Sequence, residues 1–154
     1  TKVGDVALAQ DVVPRGAVFG GEPSGTWIFP DHWLTPDGVL AAAKLIEMKD
    51  AGITLADQRA EVPTFVTLRD KIPICAVDRA SFESSLVEEL SSEPYESILT
   101  IDGVRVDYGE SWALYRFSGT EQLFRITVEA ASKQAAEARL EQARRHVEVI
   151  LRKQ

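Results

Sequence analysis

The sequence predicts an α+β fold: an antiparallel sheet covered on one face by two helices over residues 63–154, preceded by an incomplete α/β domain over residues 1–50. Three observations carry this reading. Val104, Val106 and Tyr108 alternate with Arg105 and Asp107, and Phe124, Ile126, Val128 and Ala130 alternate with Arg125, Thr127 and Glu129. That is the period of half-buried strands. Asp102-Gly103 marks a tight hairpin, because the dipeptide accommodates the positive φ angles of a two-residue turn. Leu140, Ala143, Val147 and Ile150 recur at helical spacing in a terminal segment that is charged on its other side.

In chain order, residues 5–13 read as a short helix with Asp5 as its N-cap, ended by Pro14-Arg15-Gly16. Residues 17–19 and 26–29 read as short strands around the loop Gly20-Gly21-Glu22-Pro23-Ser24-Gly25. Thr35-Pro36-Asp37-Gly38 opens a second helix, with Thr35 capping, Pro36 in first position and Asp37 favouring the positive end of the dipole. Val39, Leu40, Ala43 and Ile46 form its apolar face, and Gly52 stops it. Two helices and two short strands are too little for an α/β layer to bury its own core.

Residues 51–62 read as a polar linker. Residues 64–74 read as extended chain, since Pro63 and Pro73 discourage helix. Cys75, between Ile74 and Ala76, reads as a buried strand thiol. Phe82, Leu86 and Leu90 place a helix over residues 81–90. Residues 97–101 and 104–108 form the hairpin, 112–115 and 124–130 continue the sheet, and the last helix runs over 133–153.

Composition excludes several classes. Hydrophobic residues make up 45% and charged residues 27%, ordinary values that exclude disorder throughout. The 17 Lys and Arg against 24 Asp and Glu leave a net charge of −7. Nucleic acid and anionic membrane surfaces need a positive field, so neither is expected as a partner. A single cysteine permits no internal disulfide, and no apolar run approaches the ~20 residues of a membrane span. No signal peptide is visible, so a cytoplasmic location is expected. A first residue of Thr rather than Met suggests processing or a boundary within a longer chain.

Two loops carry chemistry. Arg116-Phe117-Ser118-Gly119-Thr120-Glu121 joins two predicted strands and concentrates anion donors. Arg offers a planar fork, Ser118 and Thr120 add hydroxyls, and Gly119 permits a turn whose backbone N–H groups converge. A plain polar hairpin loop is the alternative. In the loop around Glu22, a carboxylate that only accepts stands beside Ser24, which donates and accepts; that pairing suits neighbouring sugar hydroxyls. Flanking glycines would let backbone approach a ligand, and a simple β-turn is the alternative there. His146 reads as a solvated residue of the charged last helix and His32 as a loop histidine. Trp27, Trp33 and Trp112 read as core or hairpin packing.

Together, in this order, these strings resemble the C-terminal portion of the α-D-phosphohexomutases, the family of phosphoglucomutase, phosphomannomutase and phosphoglucosamine mutase. Thr1-Lys2-Val3-Gly4-Asp5 is similar to a segment before a helix of their third domain. Gly21-Glu22-Pro23-Ser24-Gly25 with Asp37-Gly38 is similar to that domain's sugar-recognition loop and following helix. Asp102-Gly103-Val104, Trp112, Arg116 through Glu121 and Arg125 resemble the fourth domain's phosphate loop and its strands. The resemblance covers nearly the whole chain.

It implies an isomerase that moves a phosphoryl group between the 1 and 6 oxygens of a hexose through a bisphosphate intermediate and a phosphoserine, with magnesium on the second domain. Lys2, Glu22 and Ser24 would contact the sugar. Arg116, Ser118, Gly119, Thr120 and Arg125 would grip the non-reacting phosphate. Phe117 and Gln122 stand where many relatives have proline, which would loosen the loop, and Thr26 replaces a common histidine. The family's phosphoserine motif and Asp-x-Asp-x-Asp metal loop do not occur in this sequence. The expectation is therefore a substrate-binding fragment without catalytic residues or metal ligands, inactive alone and prone to self-association through its partial third domain. The alternatives are a stand-alone phosphosugar- or anion-binding module and an interaction domain whose loops no longer bind.

Overall fold

The computed structural model describes residues 1–74 and 77–153, so Cys75 and its reading lie outside the described residues. The chain divides into two units, Thr1–Pro63 and Thr64–Gln154.

The first unit runs α1 (Asp5–Val12), β1 (Gly20–Gly21), β2 (Trp27–Ile28), α2 (Gly38–Asp50) and α3 (Leu55–Glu61). β1 and β2 pair antiparallel, with Gly20 opposite Ile28 and Gly21 opposite Trp27. Leu8, Val12 and Ile28 form its small core. Val6, Val13, Val39 and Ile46 stay exposed.

Element starts differ from the sequence reading. Gly4, at φ 121°, occupies the N-cap of α1, and Asp5 falls in the first turn, where its charge suits the dipole. Asp37, not Thr35, caps α2: its carboxylate accepts from the Leu40 N–H at 2.8 Å, and Pro36 precedes the helix. Asp outranks Thr at this position. Residues 17–19 form no strand; the Ala17 N–H instead donates to the Val12 carbonyl at 2.9 Å and closes off α1. The segment read as a linker carries α3. Thr54 caps it, accepting from the Asp57 N–H at 3.1 Å and donating to the Asp57 carboxylate at 2.6 Å. This Thr-x-x-Asp box was readable in the sequence.

The second unit runs β3 (Val66–Pro73), α4 (Arg79–Leu90), β4 (Ser97–Leu99), β5 (Val104–Asp107), β6 (Ser111–Phe117), β7 (Leu123–Ala130) and α5 (Lys133–Arg152). Its five strands form one antiparallel sheet in the order β3-β7-β6-β5-β4. Phe82, Leu86 and Leu90 from α4 and Ala143, Val147 and Ile150 from α5 share one core with Val104, Val106, Tyr115, Phe124, Ile126 and Val128 of the sheet. The sheet roofed by two helices is thus the fold that the alternating strands predict. The hairpin turn is longer than read: Leu99 pairs with Arg105, so residues 100–103 connect β4 to β5. Among the described residues, no helix is long and apolar enough to cross a membrane.

His146 is buried rather than solvated, with 6% of its surface exposed. Its Nδ1 lies 3.0 Å from the Tyr115 hydroxyl and its Nε2 3.1 Å from Glu93 Oε1. A carboxylate can only accept, so Nε2 donates to Glu93; in the neutral imidazole Nδ1 then accepts from the Tyr115 hydroxyl. Gln142 donates to the other Glu93 oxygen at 2.7 Å. His146 stands one turn from both Ala143 and Ile150, inside the apolar stripe, and that spacing was the signal the charged neighbours hid. Of the tryptophans, Trp27 packs edge-on against Phe19 and the Trp112 Nε1–H donates to Glu129 at 3.1 Å. Trp33 is 70% exposed and packs into no core. His32 is an exposed turn residue.

Two carboxylates tie stability to acid. Burial alone would raise Glu93, but hydrogen bonds from Gln142 and His146 and the Arg139 charge outweigh it and hold its pKa below the ordinary 4.5. Asp70 is held below 3.8, chiefly by the hydrogen bond from Arg144, against a smaller opposing effect of burial. A carboxyl with a depressed folded pKa contributes stability that is complete above its unfolded value and is lost as pH falls through the folded one. Thermal melts should therefore show Tm falling as pH drops below 4.5. Glu93→Gln should lower Tm at pH 7 and make that acid decline shallower.

Candidate functional site

The anion-loop residues occupy the β6–β7 hairpin of Thr64–Gln154. Antiparallel register sets Arg116 of β6 directly opposite Arg125 of β7. Like charges facing each other across a strand pair repel. Each guanidinium is met by a carboxylate: Arg116 Nη1 lies 3.1 Å from Asp102 Oδ2, and Arg125 Nη2 contacts Glu121 Oε2.

Ser118 is the hub of the loop and is 2% exposed. Its N–H donates to the Leu123 carbonyl at 2.8 Å and closes the hairpin. Its Oγ accepts from the Glu121 N–H and from Arg125 Nη2, each at 3.3 Å. With both lone pairs used, the Ser118 hydroxyl has its own proton left to donate. Gly119 and Thr120 are exposed at the tip, and Arg125 Nε is buried without a hydrogen-bond partner. The hairpin therefore joins Ser118, Glu121 and Arg125 directly, turns Arg116 to Asp102, and leaves Gly119 and Thr120 outermost.

The next register pair, Phe117 and Phe124, points the other way into the core. Their rings lie 4.9 Å apart, and Phe82 packs edge-on to both, at 5.5 Å and 4.9 Å. Phe117 thus anchors the loop by aromatic packing. Sequence reasoning missed Arg79, whose Nη2 donates to the Ser118 carbonyl at 3.3 Å. The available signal was a cation in the first turn of a helix capped by Asp78, where the dipole disfavours it. Asp102, read only as a turn residue, was missed as the partner of Arg116.

In Thr1–Pro63, Glu22 and Ser24 sit on the β1–β2 hairpin. The Gly25 N–H donates to the Glu22 carbonyl at 3.0 Å, and the Glu22 N–H donates to the Thr26 carbonyl at 2.9 Å. Pro23 presets the turn, and Gly25, at φ 91°, takes the left-handed position of a three-residue hairpin loop. Glu22 Oε1 accepts from the Gly4 N–H at 2.8 Å, which ties the segment carrying the exposed Lys2 to this loop. Ser24 Oγ lies 3.5 Å from Glu22 Oε2 and 3.3 Å from Thr26 Oγ1. A Cβ at Gly20 would stand 2.6 Å from Val12 Cγ1, so its smallness lets β1 lie against α1.

Among the described residues, no three His, Cys, Asp or Glu side chains gather as a metal site.

Fold and loops define a two-unit protein with a polar hairpin loop on each unit. Residues 1–65 match the phosphoglucomutase/phosphomannomutase alpha/beta/alpha domain III, and residues 55–146 match the phosphoglucomutase/phosphomannomutase C-terminal domain. The chain belongs to the phosphoglucomutase/phosphomannomutase family of phosphohexomutases. A probable phosphoglucosamine mutase of Pyrococcus furiosus is 44% identical over 155 residues, covering 99% of this chain and 34% of that protein. The phosphoglucosamine mutase of Methanocaldococcus jannaschii is 43% identical over 143 residues, covering 92% of this chain and 32% of that protein. This chain thus spans about a third of the length of those curated relatives. The crystal structure of a phosphoglucomutase/phosphomannomutase family protein from Burkholderia thailandensis shares the fold, with a TM-score of 0.79 and 24% identity over 97% of this chain and 32% of that one.

Gly103 backs the loop from the neighbouring turn. At φ 78° it is left-handed, and a Cβ would stand 2.2 Å from the Tyr115 carbonyl oxygen and 3.0 Å from Arg116 Cα. Gly103→Ala should cost more than about 1 kcal/mol, measured by urea denaturation, because strain and clash combine.

Proposed function

We propose that this chain forms the substrate-holding part of a phosphohexomutase, with glucosamine phosphate as the substrate class the relatives' names point to. The observation that carries the proposal is the facing pair Arg116 and Arg125 beside the buried Ser118 hydroxyl. Two opposed guanidinia invite a dianion. The carboxylates of Asp102 and Glu121 hold those positions in the unligated chain, and a phosphate would displace them while gaining charge-assisted hydrogen bonds. Gly119 and Thr120 at the tip would add a backbone N–H and a hydroxyl. Lys2, Glu22 and Ser24 would meet sugar hydroxyls. Holding the remote phosphate orients the other end of the hexose for in-line transfer.

The nucleophilic serine and the magnesium site belong, on this reading, to other domains of a full-length enzyme. Those domains would also cover exposed apolar residues such as Val6, Val13 and Ile46, which would otherwise favour self-association.

The test uses the 154-residue chain. An NMR titration with inorganic phosphate should move the Gly119 and Thr120 amides. Arg116→Ala should weaken binding by about 1.5–3 kcal/mol, the worth of a charged hydrogen bond. Unchanged affinity would remove the clamp. Robust glucosamine-phosphate mutase turnover by this chain, with magnesium and a hexose bisphosphate supplied, would overturn the division of labour.

A further inference from the structure

Arg79 is an exposed residue at the start of α4, on the end of the helix where a positive charge opposes the dipole. Among the described residues, Arg116 and Arg125 each pair with a carboxylate, whereas no carboxylate lies within ion-pair distance of Arg79. Its contacts run instead to the hairpin. The guanidinium stands 5.2 Å from the centre of the Phe117 ring, and Nη2 donates to the Ser118 carbonyl at 3.3 Å. Neither contact is explained by the stability of α4, whose cap is Asp78 and whose buried face is Phe82, Leu86 and Leu90.

We propose that Arg79 is a positioning residue of the Ser118 loop, holding the Ser118–Gly119 peptide so that the Gly119 N–H faces outward. In a trans peptide the carbonyl and the following N–H point in opposite directions. A donor that fixes the Ser118 carbonyl therefore fixes the Gly119 N–H on the other side of the plane. A cation–π contact with Phe117 steadies the guanidinium, and Phe117 is itself held by Phe82 and Phe124. Arg79 thus supplies a restraint on the loop from outside the hairpin. The consequence for anion holding rests on the proposed phosphate role; the positioning itself does not.

Amide hydrogen exchange on the full chain separates the two. The Ser118 and Glu121 amides, bonded to the Leu123 carbonyl and to Ser118 Oγ, report the turn. Arg79→Ala should speed their exchange by roughly three- to tenfold, the loss of one hydrogen bond, while Thr127 in β7 is unchanged. Arg79→Lys, which keeps a donor, should restore most of the protection. Inorganic phosphate should bind Arg79→Ala more weakly by a similar factor, with the Gly119 amide responding least. Unchanged exchange at Ser118 and Glu121 overturns the inference, as does a loss of protection spread equally over β7. If exchange responds but the wild-type chain binds no phosphate, the positioning role stands and the phosphate reading falls.

Discussion

The antiparallel pairing of β6 with β7 decides where Arg116 and Arg125 lie. Tyr115, Phe124, Ile126 and Val128 are fully buried, so they fix which face of each strand meets the helices. With a side-chain period of two, that choice leaves Arg116 and Arg125 together on the other face, directly opposed. A slip of one residue would send the arginines into the core and the phenylalanines into water. The hydrophobic core therefore places two like charges side by side, and that arrangement needs anions. Asp102 and Glu121 answer it within the chain.

The strand that carries Arg116 is held from both sides. Tyr115, its neighbour in sequence, turns to the helices, where its hydroxyl meets His146 and, through it, Glu93. Burial keeps the Tyr115 phenol far above its ordinary pKa, so it stays protonated in the core. A buried polar chain whose members are all bonded favours a single arrangement over near neighbours. On the other side, the left-handed Gly103 lets the β4–β5 connection approach the Arg116 backbone, which brings Asp102 within 3.1 Å of the guanidinium.

Much of this was legible in the sequence, and the failures share a cause. Strand alternation and the α5 stripe gave the sheet and its roof because both patterns follow from one buried face. The string from Arg116 to Glu121 was readable as a polar loop between two strands because its residue types act locally. His146 was misread because its neighbours Arg144 and Arg145 are charged, and only its spacing against Ala143 and Ile150 betrays burial. Thr35 was preferred to Asp37 as a cap although Asp is the better acceptor, and the box at Thr54 and Asp57 was overlooked. The contacts of Asp102 and Arg79 were out of reach for another reason. Asp102 lies 14 residues from Arg116, and Arg79 lies 39 residues from Ser118, and no local pattern encodes such a pairing.

The net charge of −7 also looks different once the loop is seen. Charges farther away than about 8 Å are largely screened at physiological salt, so the chain total says little about one anion site. What matters is the charge within contact distance, and there each of the two opposed guanidinia already has a carboxylate partner. The acidic residues Asp102 and Glu121 then do not argue against phosphate binding. They keep two facing cations tolerable in the free chain, and on the proposed reading each single carboxylate charge would yield to a ligand that carries nearly two charges and three acceptor oxygens. Ser118, buried and already bonded to Arg125, is the part of the loop that would not need to rearrange for the proposed exchange.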